Sequence, residues 1–228
     1  MPSEQELPEW ERVLSSAAHL QRIVPDAVLV GGTAAVTYAG HRLSTDADHV
    51  VSDLRQRFDA ILAELESVAG STTARVKRPV LILGSLDGIE TGIRQLIRST
   101  PLETRQLDSI GGKITVPTEA EMLRIKGVLI LRRNATRDYL DFVALADHMG
   151  SLLVIEAMRP FDDLYPQANG ESATQQLIVQ LANPLPFDLD RTDLSKYKAL
   201  AVRWHVWKTV KDVAIDIGCN LFEVLIKQ

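Results

Sequence analysis

The chain has 228 residues, 46% hydrophobic and 24% charged, and a formal net charge of −5. That acidic balance argues against a general nucleic-acid binder, whose surface is basic, and leaves room only for a local basic groove. A single cysteine, Cys219, excludes an internal disulfide and a thiolate metal cluster. No apolar run reaches the ~18 residues of a spanning helix, and the acidic start, Met-Pro-Ser-Glu, lacks the regions of a secretory leader. A cytoplasmic protein without a membrane partner is expected.

In chain order, the apolar residues Trp10, Val13, Leu14, Ala17, Leu20 and Ile23 recur near every 3.6 positions, which predicts an amphipathic helix over 9–23. Ala27 to Val30 reads as a short strand entering a Gly31-Gly32 turn, and Thr33 to Gly40 as a helix. Asp46 to Val51 alternates as a strand with Asp46, Asp48 and Val50 on one face. Phe58, Ile61, Leu62, Leu65 and Val68 line one side of a helix over 55–68, which Gly70 stops. Strands are expected over 78–83 and 89–97 about a Ser85-Leu86-Asp87-Gly88 turn, then over 102–107 and 113–116. Thr118 and Glu121 form a capping box opening a helix to about Arg133, and Thr136 opens another to about Met149. Residues 181–193 read as a loop, and 194–227 as a mostly helical segment with a break at Gly218. The texture therefore changes near residue 116, from mixed α/β to helical.

The chemistry concentrates in residues 27–50. A glycine turn after a strand presents backbone N–H groups that suit phosphate. Two carboxylates at i and i+2 of a strand share a face and can hold a divalent cation. Arg42, four residues ahead of Asp46, carries a planar fork that suits either a phosphate or an ion pair with the aspartates, and Ser44 can assist by hydrogen bonding. His49 alternates to the opposite face and reads as structural. Lys126 lies mid-helix among Met122, Ile125, Val128 and Leu129, where it either snorkels to solvent or serves a buried anion. Asp138 and Asp141, three apart, share a helical face. Near the C-terminus, Tyr197, Arg203, Trp204, Trp207 and Lys208 interleave bases and rings, which suits nucleic-acid stacking. Helical spacing instead favours a core face for Tyr197, Leu200, Ala201, Trp204, Val206, Trp207, Val210 and Val213. Cys219 reads as a buried small residue.

The strand, Gly31-Gly32-Thr33, His41-Arg42-x-Ser44 and Asp46-x-Asp48, followed by Lys126 in its helix and Arg137-Asp138-x-x-Asp141, resemble the polymerase-beta-like nucleotidyltransferases. Within that superfamily they look most like the toxins of bacterial abortive-infection and toxin–antitoxin systems. The resemblance covers residues 27–50 and 117–147. It implies an α/β (α+β) fold, with a small mixed-sheet nucleotidyltransferase core over 1–116 and a helical domain over 117–228 that completes the cleft. It implies transfer of a nucleotide from an NTP to an RNA (tRNA) or protein hydroxyl, with one or two Mg²⁺ on Asp46 and Asp48. Gly31, Gly32 and Thr33 would hold the triphosphate, helped by Arg42 and Ser44. Lys126 would face the phosphates, Asp138 would complete the site, and a cognate antitoxin would be the partner. Members usually add a third carboxylate from a neighbouring strand. Here the closest positions hold Arg94 and Gln95; Glu90, or less readily Asp87, can substitute if the hairpin is shifted, and otherwise the site works with two aspartates or is weakened. That gap motivates the alternative of a binding module that has lost catalysis.

Overall fold

A computed structural model describes residues 8–168 and 170–227; residues 1–7, on which the reading of a leaderless start rests, lie outside the described residues. The elements are α1 (Glu9–Ile23), β1 (Val28–Leu29), α2 (Gly31–Ala39), β2 (Asp46–Val51), α3 (Leu54–Ser67), β3 (Ser71–Lys77), β4 (Leu81–Leu86), β5 (Ile89–Gln95), β6 (Thr104–Ser109) and β7 (Gly112–Pro117). Helices α4 (Glu119–Arg133), α5 (Thr136–Met149), α6 (Ser151–Met158), α7 (Phe161–Leu164), α8 (Ala173–Ala182) and α9 (Trp207–Leu225) follow. The expected α/β core with a helical C-terminal region is what the chain forms. The described chain divides into two compact units, one built from residues up to Ala34 with Ser44–Thr118, the other from Ala35–Leu43 with Glu119 onward.

The first unit holds a five-stranded mixed sheet in the order β1-β2-β5-β4-β3, in which only β2 and β5 run parallel. Its core is apolar and shared between helices and sheet: Leu20 of α1 and Val24 just after it, Leu54, Phe58 and Ile61 of α3, Val51, Ile82, Leu86 and Ile93 of the strands. The β4–β5 hairpin turns at Asp87 (φ 54°) and Gly88 (φ 75°), the left-handed pair of a two-residue turn. Strand β4 therefore runs on through Gly84 to Leu86, three residues past the expected end. Strand β3 was not legible in the sequence. It is an edge strand, and all its positions after Ser71 are exposed, so no alternation marks it. Strands β6 and β7 make a separate hairpin close to the expected positions.

In the second unit, α4 and α5 begin and end within a residue of the expected bounds. Met122, Leu123, Val128 and Ile130 of α4 pack in a core with Tyr139, Leu140, Phe142 and Val143 of α5, all essentially inaccessible. Helix α9 contributes Val210, Ala214 and Leu221 to that core and passes through Gly218 without the expected break. The helical reading of 194–206 is corrected: short 3₁₀ turns occupy 194–196 and 202–204, and Ala201 and Val206 are exposed while Leu200 and Trp204 are buried. Cys219 is exposed, against its expected burial. Among the described residues, no helix is long and apolar enough to cross a membrane.

Candidate active site

In the first unit, β2 alternates as its sequence demands. Ala47, His49 and Val51 are buried on one side, and Asp46, Asp48 and Val50 are half-buried on the other. The Gly31-Gly32-Thr33 segment is not a turn followed by a helix; it is the first turn of α2 itself. By helix geometry the N–H groups of Gly32 and Thr33 have no acceptor inside the helix. The Thr33 hydroxyl, expected on phosphate, donates to the Asp46 carbonyl and pins the start of β2 to α2. Ser44 Oγ donates to Asp46 Oδ1 over 2.7 Å and fixes that carboxylate.

Gly31 supplies the left-handed backbone from which α2 starts beside the carboxylates. Its φ is +77°, and a Cβ there would lie 3.4 Å from the Asp48 Cβ. Gly31→Ala is expected to cost about 1–2 kcal/mol from the left-handed backbone. Urea unfolding measures this, and a loss under about 0.5 kcal/mol would show that the turn accepts a side chain.

The parallel register of β2 and β5 sets Asp46 beside Glu90, Asp48 beside Gly92 and Val50 beside Arg94. Glu90 thus shares the carboxylate face, but it is exposed. Among the described residues, no three His, Cys, Asp or Glu side chains gather as a metal site. Asp87 is engaged elsewhere, 2.7 Å from His19 Nδ1. Behind the shelf, His49 is fully buried and its Nδ1 lies 3.0 Å from the Ala47 carbonyl. Burial pushes its pKa down to about 4 against the opposing pull of that hydrogen bond.

The second unit holds a different constellation. Asp141, at 0% exposure, lies 2.7 Å from Lys126 Nζ, 2.8 Å from His41 Nε2 and 2.9 Å from Arg42 Nε. Asp138, equally buried, accepts two hydrogen bonds from Arg133, at 2.6 and 3.0 Å, and lies 3.8 Å from Lys126. Burial raises the Asp141 pKa, but the charges of Lys126 and Arg42 and the His41 hydrogen bond more than reverse this, holding it well below the usual carboxylate range. Asp141 thus stands at the centre of the cluster. His41 entered the sequence reading only as part of the His41-Arg42-x-Ser44 motif, with no role of its own. The 41–43 segment is stitched to the chain near Tyr197, through Leu43 N–H to the Lys198 carbonyl and Ala201 N–H to the His41 carbonyl. Arg42 also lies 5.9 Å from the centre of the Tyr197 ring.

No family model matches the chain. Over 192 residues, 78% of this chain and 20% of the relative, it is 33% identical to the heme uptake protein MmpL11 of Mycobacterium tuberculosis. Over 130 residues, 55% of this chain and 13% of the relative, it is 38% identical to the mycolic acid-containing lipids exporter MmpL11 of Mycolicibacterium smegmatis. The chain spans about a fifth or less of the length of these curated relatives. Among solved structures it superimposes on a candidate nucleotidyltransferase of H. pylori with a TM-score of 0.58 and 15% identity, covering 99% of this chain and 98% of that one. The fold is that of a nucleotidyltransferase.

Proposed function

We propose that the protein is a nucleotidyltransferase that moves a nucleotide from an NTP to a hydroxyl acceptor at the Asp46–Asp48 shelf. The observation carrying this reading is the pair of half-buried carboxylates on one face of β2, with Asp48 against Gly31 at the start of α2. Asp46 and Asp48 would hold Mg²⁺, whose donor set of two hard oxygens suits it, with phosphate oxygens and water completing the coordination. When bound, the cation would neutralise charge on the phosphates. The first-turn N–H groups of Gly32 and Thr33 would donate to the triphosphate, favoured by the helix dipole. Ser44 keeps Asp46 aimed, and Asp46 or Asp48 would accept the proton as the acceptor oxygen attacks the α-phosphorus and pyrophosphate leaves.

In our reading, Lys126, Asp138 and Arg42, which the family resemblance places at the phosphates and in the site, also carry a structural task within the helical unit. Lys126 is 2% exposed and satisfied by Asp141, so this cluster serves as the frame that holds α4, α5 and the 41–43 segment. Our reading uses two carboxylates as ligands and does not call on Glu90, which is exposed on the same face. The resemblance to abortive-infection toxins supports RNA or protein as acceptor and an antitoxin as partner. The similarity to part of MmpL11 supports a second reading, a nucleotidyltransferase-fold module that binds without turnover and accompanies a transporter.

Transfer of label from each α-³²P NTP to total RNA or protein, in Mg²⁺, tests the main reading. Labelling is expected, and Asp46→Asn should reduce it at least ~100-fold while the fold remains intact by circular dichroism. Nucleotide binding without labelling, or labelling indifferent to Asp46→Asn, would give the module the better claim.

A further inference from the structure

Strand β5 offers the carboxylate shelf a cation where an acid is expected. Arg94 stands two residues past Gly92 on the face shared with Asp46 and Asp48. Its Nε lies 3.8 Å from Asp48 Oδ1, too far for a hydrogen bond and close enough for the two charges to interact, though solvent screens them. Gly92 explains the approach. A Cβ at that position would sit 2.8 Å from Asp48 Oδ1 and 2.8 Å from Leu83 Cδ2. The Asp48 carboxylate therefore leans over the bare backbone of β5, into the space an acidic side chain there would fill. The neighbouring strand cannot supply an acid opposite Asp48 without moving it.

We propose that Arg94 replaces the second divalent cation: the shelf takes one metal ion, and the Arg94 guanidinium supplies the other positive charge, directed at a phosphate of the substrate. This rests on the nucleotidyl-transfer reading of the same shelf. Two carboxylates carry two negative charges, which one divalent cation already balances. A guanidinium beside Asp48 disfavours a second, and its planar fork suits a phosphate oxygen pair. Arg94 is half-exposed, so its side chain has the freedom to reach a ligand and its replacement leaves the core untouched.

The protein would be titrated with Mn²⁺ alone, counting free ion by its EPR signal, and separately with inorganic pyrophosphate in saturating Mg²⁺ by calorimetry. Pyrophosphate makes the second measurement independent of the base. The wild type is expected to bind one Mn²⁺ per chain, lost in Asp48→Asn. At low ionic strength Arg94→Ala should tighten Mn²⁺ about threefold to tenfold while weakening pyrophosphate by a similar factor. Arg94→Asp should raise the stoichiometry to two, whereas Arg94→Lys and Glu90→Gln should stay at one. Opposite movements for cation and anion mark a charge at the site, since a role confined to folding moves both the same way. Asp48-dependent binding of two Mn²⁺ by the wild type, or affinities indifferent to Arg94→Ala, overturns the proposal and spares the transfer reading. Mn²⁺ binding absent or indifferent to Asp48→Asn overturns both.

Discussion

Asp141→Ala is expected to destabilise the helical unit by about 3–5 kcal/mol, the range for removing one partner of a buried charge pair. Three donors converge on this carboxylate: Lys126, Arg42 and His41. With it gone, Lys126 is left facing Asp138 at 3.8 Å, and Asp138 is already engaged by Arg133. An ammonium at 2% exposure cannot regain its hydration without opening the α4–α5 packing. Asp138→Ala should cost less, because Arg133 is 40% exposed and can turn to water. Urea unfolding followed by circular dichroism measures both. A double variant, Lys126→Met with Asp141→Leu, should recover the part of the loss that comes from Lys126, while Arg42 and His41 still lose their shared carboxylate. If Asp141→Ala costs under about 1 kcal/mol, the cluster is not the frame of this unit. If the double variant is worse than the single one, apolar packing cannot substitute for the ion pair.

The parts of the structure that were legible in the sequence are those in which burial imposes a period. Helices α4 and α5 and strand β2 each have one buried side, so their residues alternate or recur, and their bounds emerge almost unchanged. Strand β3 is exposed along nearly its whole length, and nothing selects a pattern there. The Gly31-Gly32 pair misleads for a related reason. Two glycines disfavour a helix locally, but the left-handed φ of Gly31 is what starts α2 directly from β1, and the rest of the helix supplies the stability. The region 194–206 carries helical spacing yet folds as 3₁₀ turns, tied at Lys198 and Ala201 to the 41–43 segment by backbone hydrogen bonds that no periodicity announces. At the candidate site, the shared face of Asp46 and Asp48 follows from local alternation. The company each keeps depends on partners far along the chain: Arg94 reaches Asp48 through the β2–β5 register, and Asp141 meets Lys126 through helix pairing. Sequence spacing identified both residues and left their partners open.

The second large effect is a loss of stability in mild acid that traces to His49. The folded protein resists protonating this imidazole until about pH 4, since burial disfavours the cation, while in the unfolded chain it takes a proton near 6.5. Between those values the unfolded state binds more protons, so stability falls as pH falls through the window. The full gap corresponds to about 3 kcal/mol, reached near pH 4, with little loss above pH 7. Asp141 acts in the same direction but lower on the scale: its folded pKa is depressed below the ordinary 3.8, so its contribution is lost as pH falls beneath that value. The two windows therefore separate. The check is the unfolding free energy of wild type and His49→Leu from pH 7.5 to 4, compared as a difference so that groups common to both cancel. Leucine is close in size, and it removes an Nε2 that has no hydrogen-bond partner in the structure, so near pH 7 the two should lie within about 1 kcal/mol. On descending to pH 4.5 the wild type should lose about 2–3 kcal/mol relative to the variant. Parallel profiles would mean that His49 reaches solvent or finds an acceptor once protonated, and that the back of the carboxylate strand is not sealed.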